Sequence, residues 1–143
     1  MTRRARPFDA DAMVAIVGQL TRPGPGFTPA FLRDWIAAAG DIWVVAEVDT
    51  GLEGFQWCGS AADLPPHTCE IATFVPPGRH DLQVGSGLFD ATRHAARELE
   101  LRWIVARTAI EKEGAHIYYR SRGFEDASEV APGTGQSILI HRL

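Results

Sequence analysis

Long apolar runs, cysteine and charge of one sign are all scarce in this sequence. No stretch approaches the roughly 20 apolar residues that a membrane-spanning helix needs. Asp9 and Asp11 interrupt the N-terminal segment before an export-signal core forms, so a cytoplasmic setting with no membrane partner is expected. Eighteen acidic against fourteen basic residues leave a formal charge of −4. That balance lacks the basic field with which nucleic-acid binders displace counterions, and no nucleic-acid partner is expected. The cationic cluster Arg3, Arg4 and Arg6 reads as a solvated tail or as the edge of an anion site. Two cysteines, Cys58 and Cys69, give neither a disulfide framework nor a metal-ligand spacing. Drawn together with His67 and His80 they fit no standard zinc pattern, so buried reduced thiols and no metal are expected.

What is present is the composition of an ordinary folded domain: 143 residues, 45% hydrophobic and 22% charged. A chain of that length buries on the order of two thirds of its unfolded surface, enough for a core without staples. No repeat or composition shift divides it, so a single domain over 1–143 is expected. Met13, Ile16, Val17 and Leu20 recur at helical spacing behind Asp9, a candidate N-cap. After a Pro/Gly loop over 21–26, Thr28 and Pro29 open a second helix with the stripe Phe31, Leu32, Trp35, Ile36 and Ala39, stopped at Gly40. Residues 42–48 and 54–58, joined by Asp49-Thr50-Gly51, read as a β-hairpin, and 68–75 as a third strand. Leu88, Thr92, Ala95 and Leu99 form the inner face of a long helix. A strand over 101–108, a short helix over 114–121 closed by Gly123, and a strand over 136–141 complete the chain. This order predicts an α/β (α+β) fold: one mixed, mostly antiparallel twisted sheet, about four flanking helices, and a strand-helix-strand crossover near the centre.

The chemically informative stretch is the turn between the third strand and the long helix, Val75-Pro76-Pro77-Gly78-Arg79-His80-Asp81-Leu82-Gln83-Val84-Gly85-Ser86-Gly87-Leu88. N–H groups at a helix start, with the helix dipole behind them, suit phosphate, and glycine lets a ligand approach the backbone. Gly85 and Gly87 equally serve close helix-strand packing, and both readings stay open. A dinucleotide fingerprint does not fit, because its third glycine falls on Asp90. Downstream stands Ala115-His116-Ile117-Tyr118-Tyr119-Arg120-Ser121-Arg122-Gly123-Phe124.

These two stretches resemble the GNAT superfamily of N-acetyltransferases. Its acetyl-CoA loop reads V-x-P-x-x-[R/Q]-G-x-G-[I/V]-G or A: Val75, Pro77, Val84 and Gly85 match, while His80, Asp81 and Gln83 depart from it. The second stretch looks like the family's A-x-x-[L/F]-Y-x-x-x-G-F element, with Tyr119 on its tyrosine and Lys112 where an asparagine is common. The resemblance covers nearly the whole chain and implies a sheet with splayed central strands.

It further implies acetyl transfer from acetyl-CoA, the cosubstrate, to a primary amine by direct attack. Such chemistry needs a base for the amine and a proton for the departing thiolate. Tyr119 is the implied acid and Glu70, on the third strand, the implied base, with His67, His80 and His116 ranked lower. Alternation puts Glu70, Ala72 and Phe74 on one face of that strand and Cys69, Ile71, Thr73 and Val75 on the other. Cofactor contacts are expected at Phe74, Val75, Leu82, Gln83, Val84, Gly85, Ser86, Gly87, Lys112 and Tyr119, with backbone N–H groups from Leu82 to Gly87 holding phosphate and Arg79 as a charge partner. Trp57 is a candidate wall of the acceptor cavity. The acceptor is a small-molecule or peptide amine, and any assembly is expected to be a homodimer. The alternative is a catalytically silent domain of the same fold that binds acyl-CoA or a protein partner.

Overall fold

The computed structural model describes residues 1–22, 24–38, 40–76, 81–109, 112–127 and 136–143. β1 (Thr2–Arg4) and a 3-10 turn (Pro7–Asp9) lead into α1 (Ala10–Leu20) and α2 (Pro29–Ala37). β2 (Ile42–Val48), β3 (Gly51–Gly59) and β4 (Thr68–Phe74) follow, then α3 (Asp81–Glu98), β5 (Trp103–Ala109), α4 (Glu113–Ser121), β6 (Glu125–Asp126) and β7 (Gln136–Arg142). They form one seven-stranded sheet in the order β1-β2-β3-β4-β5-β7-β6. Its pairs are antiparallel except β4 with β5, which α3 joins as a crossover. The fold class and the crossover expected from the sequence are those observed.

Side chains alternate across the strands and divide the core in two. One layer sets Val44, Cys58, Ile71, Ile104 and Ala106 against Leu88 and Phe89 of α3 and Tyr119 of α4. The other packs Trp43, Val45 and Phe55 against Met13 and Ile16 of α1 and Leu32 of α2. The helix starts follow local chemistry: Thr28 accepts a hydrogen bond from the Phe31 N–H (3.2 Å), with Pro29 at the first helical position. Ala39 of the expected α2 stripe lies outside the described residues.

Several expectations are corrected. Arg3 is neither a solvated tail nor the edge of an anion site. β1 pairs with β2, and the Arg3 guanidinium grips both oxygens of buried Asp9 (2.8 and 2.9 Å) and Glu47 (2.8 Å). Asp9 therefore does not cap α1 with its side chain; its carboxylate turns back to accept the Arg6 N–H (2.8 Å) across the 3-10 turn. Leu99 falls past the end of α3 and is exposed, because Glu100 adopts left-handed φ (+59°) and breaks the helix, leaving Ala96 as the inward residue. Cys58 and Cys69 are bonded to each other as a disulfide, not reduced thiols. β3 and β4 run antiparallel with Cys58 opposite Ile71, so Cys69 sits diagonally on the same face, with the two Cα atoms 6.0 Å apart. Among the described residues no helix is long and apolar enough to cross a membrane.

Candidate functional site

β4 and β5 are paired only from Thr68↔Trp103 to Ile71↔Ala106. Beyond that point β4 continues to Phe74 along β3, and β5 continues to Ala109 along β7, so the two central strands part. Strand edges without a ladder partner offer N–H and C=O groups to an extended ligand. On the α3/α4 face of this split lies a cavity of about 310 Å³, lined by Thr73 and Val75 from β4 and its exit, Leu82 and Gly85 from α3, and Gly114, Ala115, Tyr118 and Tyr119 from α4. Its volume suits a slender chain with a small acyl group.

A buried polar network closes one wall. The Tyr119 hydroxyl is 3.0 Å from Thr73 Oγ1, and Gln56, fully buried on β3, donates Nε2 to Thr73 Oγ1 (2.9 Å) and to the Tyr118 hydroxyl (3.3 Å). Tyr118 in turn donates to the Gly85 carbonyl (2.6 Å). Burial pushes both phenols above their ordinary range, Tyr119 well above it, against the hydrogen bonds from Thr73 and Gln56 that pull them down. Both are therefore proton-bearing groups at neutral pH. Gly85 is required where it stands: a Cβ there would meet Tyr118 Cε1 at 2.7 Å.

The expected cofactor residues divide. Val75, Leu82, Gly85 and Tyr119 line the cavity. α3 opens at Asp81, so Gln83 lies in its first turn, whereas Gly85, Ser86 and Gly87 are a turn further in, where N–H groups bond back along the helix. The N–H groups through Gly87 are therefore not all open to a ligand, as a backbone cradle over 82–87 would need. Ser86 instead accepts from Arg122 Nη1 (2.6 Å), which brings a guanidinium to the second turn of α3. Gly87 lies against Thr2, and Val84 packs on the core. Phe74 turns its ring away from the cavity and stacks on Phe55 with centroids 4.6 Å apart, so only its backbone faces the split. Lys112 is exposed at the N-cap of α4. Pro77, Gly78, Arg79 and His80 lie outside the described residues, as does the side chain of Asp81.

Glu70 and Tyr119 are not brought side by side. Glu70 is on the paired part of β4 opposite Val105, on the α1/α2 face, and does not line the cavity. Its carboxylate lies 3.5 Å from Arg107 Nε, and Arg107 holds Asp63 of the β3–β4 connection with both terminal nitrogens (2.7 Å each). Of the lower-ranked histidines, His116 has its Nε2 3.2 Å from the Ala109 carbonyl, and exposed His67 takes left-handed φ (+61°). The Trp57 indole donates to Asp41 (2.8 Å), as Trp35 does (2.9 Å), within a packed cluster that includes Trp43. Gln56, Thr73 and Arg107 escaped sequence reasoning. A glutamine between Phe55 and Trp57 in a strand with buried residues on both faces was the available signal.

Solved structures with the same architecture are numerous. Ribosomal-protein-alanine N-acetyltransferase from Brucella melitensis superposes with a TM-score of 0.82 at 19% identity, covering 100% of this chain and 99% of that one. The chain has the GNAT fold. Two more such structures are an N-acetyltransferase from Staphylococcus aureus Mu50 (TM-score 0.78, 18% identity, covering 100% of this chain and 96% of that one) and yncA from Salmonella typhimurium. The latter, assigned to the acetyltransferases and solved with its cofactor acetyl-CoA, gives a TM-score of 0.78 at 19% identity over 100% of this chain and 92% of that one. No protein-family model and no curated protein matches the sequence. Within the GNAT fold of this chain, both stretches that carry the sequence resemblance border the cavity: residues of the glycine turn at α3 and the tyrosine pair on α4.

Proposed function

We propose that the chain is an acetyl-CoA-dependent N-acetyltransferase that acetylates a primary amine by direct attack. The observation that carries this reading is the split between β4 and β5, opening onto a cavity whose inner wall bears the protonated Tyr119 hydroxyl. The free strand edges suit the amide groups of a pantetheine arm, and the cavity suits the acetyl thioester, which supplies the electrophilic carbon. The first turn of α3 offers phosphate a helix dipole, and Arg122, bonded to Ser86 one turn further along, a guanidinium.

The acid and the base then work from opposite faces of β4. Tyr119 on the α4 side protonates the departing sulfur, while Glu70 on the α1/α2 side receives the amine proton, through water, as the acceptor approaches from that side. Arg107 holds Glu70 at this face. The acceptor is a small-molecule or peptide amine, and the setting is the cytoplasm.

Thermal unfolding with acetyl-CoA, CoA and NADH tests the first step. A ligand at about a hundred times its Kd stabilises the fold by roughly 2.7 kcal/mol. Stabilisation by acetyl-CoA and CoA but not NADH, followed by CoA release with at least one amine from a panel of amino acids, polyamines, arylalkylamines and peptides, is the expected outcome. Binding without turnover of any amine favours a silent acyl-CoA-binding domain, and no binding overturns the reading.

A further inference from the structure

The network behind Tyr119 has a direction, and one residue sets it. The Tyr118 hydroxyl has a single proton, which goes to the Gly85 carbonyl at 2.6 Å. The Gln56 atom facing Tyr118 must therefore be a donor, which fixes the amide with Nε2 toward the two hydroxyls. The second Nε2 proton goes to Thr73 Oγ1 at 2.9 Å. Gln56 Oε1 has no partner among the described residues, so the amide is held by its donated bonds alone.

Thr73 then stands between a fixed donor and Tyr119, 3.0 Å away. When Tyr119 gives up its proton, the phenolate accepts but does not donate, so Thr73 must turn its own proton toward it. Gln56 supplies the bond that Thr73 accepts while doing so, and a hydroxyl that accepts a hydrogen bond is the stronger donor. The Thr73 bond lowers the energy of the phenolate, which burial raises.

We propose that Gln56 is a positioning residue for proton release from Tyr119, acting through Thr73. This rests on the acetyltransferase reading. The acceptor nitrogen forms its bond to the acetyl carbon, and the nitrogen's proton leaves to the base. The C–S bond breaks with its electron pair on sulfur, and the Tyr119 proton passes to that sulfur. The phenolate, held by Thr73, is reprotonated from water. Overall an amine and a thioester become an amide and a thiol.

The test uses Gln56→Met, Thr73→Val, Thr73→Ser, Tyr119→Phe and the Gln56→Met/Tyr119→Phe double variant of the full chain. The probes are acetyl-CoA and the fastest amine of the panel. Gln56→Met and Thr73→Val are expected to lower kcat about tenfold or more, with the acetyl-CoA Kd within about twofold, while Thr73→Ser keeps most of the rate. In the Tyr119→Phe background Gln56→Met should have no further effect on kcat, because the proton it serves is gone. Unchanged kcat in a folded Gln56→Met protein overturns the proposal, and so does a loss that multiplies with that of Tyr119→Phe. If Gln56→Met does not fold, the Thr73 pair decides: equal rates for valine and serine overturn it. An active wild type with a folded Gln56→Met protein of equal kcat defeats this inference alone, whereas a wild type that turns over no amine defeats the acetyltransferase reading and this inference with it.

Discussion

Tyr118 and Tyr119 share one wall of the cavity and differ in where their protons point. Tyr118 bonds the Gly85 carbonyl and packs its ring where Gly85 has no side chain; Tyr119 meets a hydroxyl that can donate to it. The proposed function therefore assigns acid chemistry to Tyr119 alone. Tyr119→Phe is expected to lower kcat about a hundredfold while leaving acetyl-CoA affinity nearly unchanged. Tyr118→Phe should lower stability by about 1–2 kcal/mol, since it removes a buried hydrogen bond and strips Gln56 of an acceptor, and by loosening the Gln56 amide it should lower kcat less than Tyr119→Phe does. Steady-state rates, calorimetric binding and urea midpoints on both variants separate these effects. Tyr119 could be singled out from sequence because its spacing from Gly123 and Phe124 is a local pattern. Gln56 and Thr73 could not: they lie 17 residues apart and meet only through the β3–β4 register, and Gln56 reaches Tyr118 across 62 residues.

Elements long enough to repeat an apolar period were legible in the same way. α1, α2, the β2–β3 hairpin and α3 follow from periodicity and turn residues, because each buries one face and announces it every second or every third to fourth residue. β1 and β6, of three and two residues, have no period to read and exist by virtue of their neighbours. Beyond its backbone ladder with β2, β1 is held by Arg3, which ties Asp9 ahead of α1 and Glu47 on β2 to the N-terminal strand. Burial by itself raises the Asp9 carboxyl, but the Arg3 hydrogen bonds and the Arg6 N–H overrule it and leave the group below the ordinary carboxylate range. Asp9→Asn should cost roughly 2–3 kcal/mol, because it leaves a partly buried guanidinium short of its main partner. Equal urea midpoints for Asp9→Asn and wild type at pH 7 would show that β1 docks without this contact. The disulfide was hidden for the reason β1 was: Cys58 and Cys69 become neighbours only when β3 and β4 pair.

Across the whole molecule, pH acts on stability through two separate windows. His141 on β7 is buried between Phe89 of α3 and Phe124 after α4, with ring centroids 5.2 and 5.1 Å away. Its Nδ1–H donates to the Gly123 carbonyl (3.3 Å), and Nε2 has no partner among the described residues. Burial lowers the His141 pKa, the Gly123 carbonyl opposes this, and Arg93 and Arg97 on α3 add to it. The unfolded chain accordingly takes up this proton near pH 6.5, and the folded chain only at lower pH. Protons then favour unfolding: the His141 contribution is complete above about pH 6.5 and is lost as pH falls below it. Asp9, Glu47 and Asp63, held down by Arg3 and Arg107, act later, since their contribution is complete above about pH 4 and lost only below it. Urea midpoints should therefore be level from pH 8 to 6.5, fall toward pH 5, and fall again below pH 4. His141→Leu removes the donor to Gly123 and lowers the midpoint at pH 8, yet it should flatten the slope between pH 6.5 and 5 and leave the acid-side fall in place. An unaltered slope in that variant would mean that another group carries the first window. A vanished acid-side fall would mean that the carboxylates act only through the layer His141 occupies.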